Sequence, residues 1–241
     1  MPDREPVLFS WSGGKDSALA LYEVLRSDCY QVAALFTTVA GQYGRISHHG
    51  VREELLDLQA AALGLPLDKL VLPVMDGSPC TNNQFEELMG QRLATYRERG
   101  IRRVVHGDLF LEDLRAYRER NLARLGMEGL FPIWHWDTTQ LIHDFTRQGF
   151  KARLCCVDQR LEGRFVGREL GPELIAEFPP GIDPCGENGE YHSFVYDGPI
   201  FRQPLAIETG EIVVRDGRHY IDLLPRGRTA AKAVAETIPP V

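Results

Sequence analysis

No apolar run in this chain approaches the ~18 residues that a membrane-spanning helix needs. The start, Met-Pro-Asp-Arg-Glu-Pro, also lacks the basic-then-apolar pattern of a secretory signal. A cytoplasmic protein with no membrane partner is the resulting expectation. Basic charge is in deficit, with 27 Lys and Arg against 34 Asp and Glu and a net charge of -7. The electrostatic footprint of a nucleic-acid binder is therefore missing. Cysteine is scarce: Cys29, Cys80, Cys155, Cys156 and Cys185 are odd in number and form no Cys-x-x-Cys pair. That excludes a disulfide framework and a four-cysteine zinc or iron–sulfur site. Repeats and low-complexity linkers are absent too. What is present is ordinary for a globular protein, 44% apolar and 25% charged over 241 residues, enough for one large or two modest domains.

Chemistry concentrates first at Val7 to Ala20, where an apolar run ends in Ser12-Gly13-Gly14-Lys15-Asp16-Ser17 and an amphipathic run follows. This reads as strand, tight turn, helix. Gly13 and Gly14 let the backbone turn and approach a ligand, and the new helix offers unpaired N–H groups and a positive dipole end. Ser12 and Ser17 add hydroxyls and Lys15 a cation, which together make a phosphate cradle. A Walker loop cannot be written through these residues. Asp16, a carboxylate inside a phosphate loop, calls for Mg²⁺ or a backbone donor to compensate it.

Strands are expected at Val32 to Thr38, Leu70 to Pro73, Ile101 to His106 and Gly129 to Trp134, with helices at Arg52 to Leu63, Asn82 to Arg99 and Leu111 to Leu125. Gly41 to Gly50 reads as a polar loop. Such alternation predicts an α/β fold, a doubly wound parallel sheet. Ligands of such sheets bind at strand carboxyl ends, where Ser12, Thr37, His106 and Asp108 fall. After Trp134 the pattern changes to a smaller C-terminal α/β portion. It contains helices near Asp137 to Gln148 and Glu173 to Phe178, strands at Lys151 to Val157 and Tyr191 to Tyr196, and a hairpin from Ile207 to Leu223. The expected division is 1–135, 136–225 and a tail over 226–241. His106 is read as a satisfied histidine at a strand end, and Trp134 and Trp136 as core. Arg115 and Arg168 are read at even odds as surface pairs or anion ligands.

A second dense stretch is Asp183 to Ser193, where Pro184, Gly186 and Gly189 make a turn presenting Glu187, Asn188, Glu190, His192 and Cys185 before a strand. Loops held by a rigid scaffold often carry chemistry.

The first motif resembles the Ser-Gly-Gly-x-Asp-Ser signature of the N-type ATP pyrophosphatases, the PP-loop enzymes. The second is similar to the Glu-Gly-Gly-Glu-Phe/Tyr-Glu-Thr element of the branch that includes diphthine–ammonia ligases. Glu187, Gly189, Glu190 and Tyr191 match; Asn188 replaces a Gly, and His192-Ser193 replace Glu-Thr. His49, the Asp57 to Ala60 run with Gly64-Leu65-Pro66, Arg115, Pro132 to Trp134, Phe165 to Arg168 and Asp197 to Phe201 continue the resemblance to about residue 201. The altered loop looks more like the bacterial branch, whose members are labelled adenine-nucleotide hydrolases.

The resemblance implies a HUP, Rossmann-like fold and an ATP-dependent ligase. Ser12 to Ser17 would hold the β- and γ-phosphates of ATP with Mg²⁺, Asp16 serving as metal ligand, while adenine sits near Phe36 to Thr38, including Thr37. An acceptor carboxylate attacks the α-phosphorus, pyrophosphate leaves, and ammonia displaces AMP. In that scheme Glu187 and Glu190 orient or deprotonate ammonia, and His192 is a secondary general base. His49 bridges phosphates and Asp108 positions acceptor or metal. Partners are thus ATP, ammonia and an unidentified carboxylate-bearing protein or small molecule; a homo-oligomer is left open. The rivals are a PP-loop RNA thiolation or amidation enzyme carrying persulfide on Cys185 or the Cys155-Cys156 pair, and a nucleotide-binding hydrolase or sensor without acyl transfer.

Overall fold

A computed structural model describes residues 4–41, 44–46, 50–75 and 78–226 of the chain. The elements alternate as the apolar runs require: β1 (Glu5–Ser10), α1 (Lys15–Arg26), β2 (Tyr30–Ala40), β3 (Arg45–Ile46), α2 (Glu53–Leu63), β4 (Leu67–Leu72), the short β5 (Val74–Met75) and β6 (Ser78–Pro79), α3 (Asn82–Glu98), β7 (Arg103–Val105), α4 (Glu112–Arg124) and β8 (Glu128–Leu130). Val7, Leu8 and Phe9 of β1 are fully buried, as befits a central strand covered on both faces. Helix α2 stops where Gly64 enters the left-handed region at φ 70°. Helix α3 starts at a capping box, with Thr81 and Gln84 each holding the other's backbone.

Parallel pairing places β1 between β2 and β7, with β4 on the far edge of β2 and β8 on the far edge of β7. The arrangement is Rossmann-like, as expected. The chain crosses to the other side of β1 between β4 and β7, so the carboxyl ends of β1 and β7 flank the topological switch point where open α/β sheets bind ligands.

The remainder comprises α5 (Thr138–Arg147), β9 (Lys151–Val157), α6 (Pro172–Ile175), β10 (Tyr191–Asp197), β11 (Ile207–Arg215) and β12 (Arg218–Pro225). Its four strands form an antiparallel sheet in the order β10, β9, β12, β11. One hydrophobic cluster runs continuously from β1 and α1 into α5, β9 and β10, so the two sheets share a core. No helix among the described residues is long and apolar enough to cross a membrane.

Several boundaries differ from the sequence reading. The strand expected over Gly129 to Trp134 ends at Leu130, because Pro132 has no N–H and residues 131–136 fold into turns closed by Trp134 N–H to the Phe131 carbonyl. The strand expected from Ile101 to His106 covers only Arg103–Val105. The polar loop after β2 contains β3, which pairs antiparallel with Val39 and Ala40. Trp134 is only half-buried, with the Arg115 guanidinium 4.7 Å above its ring, and Trp136 packs on the rim of the core; the fully enclosed tryptophan is Trp11. The expected tail beyond Arg226, and His49, lie outside the described residues.

One buried side chain ties the two sheets together. Gln59 of α2 accepts from Trp11 Nε1 at 3.0 Å and donates to the carbonyls of Gly13 at 3.0 Å and Val195 at 2.6 Å. Trimming it leaves buried polar groups of both halves without partners. Gln59→Ala is expected to lower unfolding stability by about 3 kcal/mol, read as a shift of the urea midpoint at unchanged slope. A second tie is the buried Asp222 of β12, which takes Arg52 Nε at 2.9 Å and Nη2 at 2.8 Å and Arg45 Nη2 at 3.1 Å.

Candidate active site

The turn after β1 is built from both sheets. Gly13 stands at φ 78°, which a side chain resists, and a Cβ there would lie 2.6 Å from Gln59 Oε1. Its carbonyl accepts from the Val195 N–H of β10 at 2.9 Å, and the Lys15 N–H donates to Ser193 Oγ at 3.1 Å. Ser17 Oγ donates to the Gly14 carbonyl at 2.9 Å and lies 3.1 Å from Ser12 Oγ. These bonds fix the loop that opens α1 to both sheets.

Lys15 is only 3% exposed, with Nζ 2.8 Å from Asp16 Oδ2 and 5.2 Å from the centre of the Tyr191 ring. Burial by itself would lower its pKa. The Asp16 carboxylate and the neighbouring Tyr191, Cys185 and Glu187 outweigh that and hold it well above the ordinary lysine value, so the ammonium persists. Asp16 Oδ1 is buried and has no hydrogen-bond partner among the described residues.

The second loop is knitted by its own polar groups. Asp183 Oδ1 accepts from the Cys185 N–H at 2.8 Å and the Glu187 N–H at 3.3 Å, and Thr138 Oγ1 donates to Asp183 Oδ2 at 3.0 Å. Tyr191 Oη donates to the Pro184 carbonyl at 2.6 Å. Gly186, at φ 69°, sits so close to the Tyr191 ring that a Cβ would approach it to 2.7 Å. Glu190 is buried, its Oε1 accepting from the Asp183 N–H at 3.2 Å and Asn188 Nδ2 at 3.1 Å.

A cleft of about 940 Å³ opens where these parts meet. Ser12, Gly14, Lys15, Asp16, Ser17, Thr37, Asp108, Glu187 and His192 all line it, together with Cys185 and His106. Gly13 and Glu190 are not on its wall: the first lies beneath the turn, and the second braces the loop that presents Glu187. Glu187 is pushed up to about 8 by burial first and then by Asp16, with Asp108 and Asp183 adding to the effect and Lys15 opposing it. A carboxyl group poised near neutrality inside a cleft is the state a proton-transfer residue needs.

The neighbouring wall comes from β7 and α4. Arg118 grips Asp108, Nε to Oδ2 at 2.7 Å and Nη2 to Oδ1 at 3.2 Å. His106 is stacked on Phe131 at 5.5 Å between ring centres, and neither ring nitrogen has a partner among the described residues, so it is not the satisfied histidine expected. Burial and then the Arg118 charge push its pKa well below 6.5, which keeps it neutral. Arg115 and Arg168 follow the surface-pair reading, with Glu119 at 2.8 Å and with Glu177. Sequence reasoning gave no role to Gln59, Ser193, Tyr191 or Arg118. Their parts depend on long-range packing, as does the close approach of Gly107, which follows β7, to the turn after β1.

That approach is tight: a Cβ on Gly107 would lie 2.9 Å from the backbone of Asp16 and Ser17. Gly107→Ala is therefore expected to displace the turn that opens α1. Steady-state kinetics should show KM for the nucleotide rising by about 10-fold or more while the melting curve stays cooperative.

Residues 6–129 match the family model described as diphthamide synthase N-terminal domain, and residues 137–226 match that of the diphthamide synthase C-terminal domain. Diphthine–ammonia ligase of Danio rerio is 25% identical over 222 residues, covering 84% of this chain and 86% of the relative. The protein of that name from Homo sapiens is 24% identical, covering 84% and 83%. That of Schizosaccharomyces pombe is 28% identical over 84% of this chain but only 36% of its own length. With both family models met in order along one chain whose two halves close on one cleft, the protein belongs to the diphthamide synthase family.

Proposed function

We propose that the chain is an ATP-dependent ligase that activates an acceptor carboxylate as its adenylate and amidates it with ammonia. The observation that carries this reading is the meeting of the Ser12 to Ser17 cradle and the poised Glu187 in a single cleft. In the proposed division, residues 1–135 hold the nucleotide and 136–225 supply the loop that handles acceptor and ammonia. The acceptor is a carboxylate-bearing protein or small molecule of diphthine-like reactivity.

ATP lies with its pyrophosphoryl end in the cradle, against Ser12, Gly14, Lys15 and Ser17, and its base beside the carboxyl end of β2 at Thr37. A carboxylate oxygen of the acceptor attacks the α-phosphorus in line, the bond from that phosphorus to the bridging oxygen breaks, and pyrophosphate departs with the pair of electrons. Lys15 and the amino end of α1 stabilise the charge that grows on it. Ammonia then attacks the acyl carbon, its extra proton passes to Glu187, and the acyl–oxygen bond to AMP breaks. Asp108, fixed by Arg118, orients the acceptor, and His192 of β10, which also lines the cleft, is the second proton acceptor.

Asp16 would hold a Mg²⁺ ion together with the substrate phosphates. Among the described residues no cluster of three or more His, Cys, Asp or Glu is placed to hold a metal unaided. Mg²⁺ is commonly held by one or two carboxylates plus phosphates, and Asp16 Oδ1 is a buried oxygen that lacks a partner. The ion would neutralise phosphate charge. Thiol chemistry is disfavoured, because burial pushes the Cys185 thiol up and its Sγ donates to the Thr138 carbonyl at 3.2 Å.

The test is to fractionate cell extract and assay AMP release by the purified protein with and without ammonium. A fraction that stimulates AMP release only when ammonium is present supports the ligase and yields the acceptor. Release indifferent to ammonium in every fraction points instead to a hydrolase or sensor.

A further inference from the structure

Beyond the cleft, the antiparallel sheet ends in an unusual edge. Strand β11 pairs with β12 on one side, and among the described residues nothing pairs with its other side. At its outer end lie three consecutive β-branched residues, Ile212, Val213 and Val214, exposed to 54%, 40% and 62%. Edge strands of monomers are ordinarily short, charged or interrupted. Here the apolar triplet is flanked by one acid, Glu211, and one base, Arg215.

The hairpin geometry fixes which backbone groups are free. Asp216 and Gly217 both have positive φ, 50° and 75°, the two-residue turn that closes on a hydrogen-bonded pair, here Arg215 with Arg218. Alternation along the ladder then makes Val213 with Tyr220 a second bonded pair. Val214 with His219 and Ile212 with Ile221 are non-bonded pairs. The N–H and C=O groups of Ile212 and Val214 therefore point outward, away from β12.

We propose that this edge docks a second copy of the chain, β11 against β11 antiparallel, about a two-fold axis through Val213. In that register Ile212 of one protomer faces Val214 of its partner, which is the bonded pairing their outward groups require. Glu211, in the bulge between Thr209 and Ile212, comes beside Arg215 of the partner subunit on both sides of the axis, so opposite charges meet in this self-paired register. The two four-stranded sheets become one of eight strands. The clefts lie elsewhere, and the proposal is independent of the ligase reading.

Val213 meets its own copy across the axis, which supplies the test. Sedimentation equilibrium of the full chain at about 100 µM is expected to show a dimer. Val213→Lys and Val213→Glu should each weaken it by at least ~10-fold, since like charges then stand directly opposite. An equimolar mixture of the two variants should recover a dimer. Circular dichroism of each variant checks that these exposed substitutions leave the fold intact. A monomeric wild type, a Val213→Lys dimer as tight as wild type, or a mixture that fails to recover would overturn the proposal. So would a monomer whose Ile212 and Val214 amides are protected from hydrogen exchange, which would assign the edge to the chain's own residues 227–241.

Discussion

Replacing Lys15 by Ala is expected to reduce AMP release from ATP by ~10²–10³-fold, the range for loss of one preorganised group that stabilises transition-state charge. The ammonium is buried at the mouth of α1 and held protonated by Asp16 despite its burial. In the proposed reaction it meets the leaving pyrophosphate, whose charge grows only as the bond breaks, so the loss should fall on kcat more than on KM. The same substitution leaves the half-buried Asp16 carboxylate without its partner at 2.8 Å. A melting curve taken beside the assay, with Lys15→Arg as a second variant, separates lost chemistry from lost folding. Lys15→Arg preserves charge and should hold the fold while recovering activity only in part, because the guanidinium is broader than the ammonium the site encloses.

Glu187→Gln is expected to cut ammonia-dependent turnover by ~10²-fold or more. Wild-type turnover, measured at constant free ammonia, should rise with pH through about 8 as the carboxyl ionises, and this limb should vanish in the variant. The same group gives a stability signature with a definite sign. Folding raises its pKa from 4.5 to about 8, so between those values the folded protein keeps a proton that the unfolded chain releases. Stability is then fully present below 4.5 and is lost as pH rises towards 8. Gln carries no such proton. The melting temperature of Glu187→Gln relative to wild type should therefore climb between pH 4.5 and 8. A flat difference would mean that Glu187 titrates normally and cannot be the poised base.

Local chemistry made much of this molecule legible before any coordinates. The strand, glycine turn and helix at Ser10 to Ser17 follow from apolar periodicity and from the need of Gly13 for positive φ. The alternation of β-rich and amphipathic runs implies a parallel sheet with its ligand end at the carboxyl termini of β1, β2 and β7. The glutamate loop was legible as chemistry because acids, glycines and a proline are crowded into one turn.

What stayed hidden was tertiary. Nothing in a linear reading shows that Ser193 and Val195 on β10 complete the phosphate turn, or that Gln59 joins Trp11, Gly13 and Val195. The two glutamates of the second loop look equivalent in sequence, yet the turn over residues 187–190, with Gly189 at φ 82°, directs Glu187 to the cleft and Glu190 into the loop's own hydrogen bonds. His106 read as a satisfied strand-end residue because that is the usual fate of a lone histidine. Its unpaired ring nitrogens emerge only once Phe131 and Arg118 are seen to enclose it. Residues 131–134 read as strand in the sequence because their aromatic residues mimic a buried run, whereas Pro132 turns the chain there.

The central claim is that this cleft cleaves ATP between the α- and β-phosphates on behalf of an acyl acceptor. Resolving the products formed from [α-³²P]ATP by the full chain, with ammonium and a stimulating extract fraction, tests it most directly. The expected result is labelled AMP with one equivalent of pyrophosphate, lost in Lys15→Ala. Labelled ADP with orthophosphate would contradict the account.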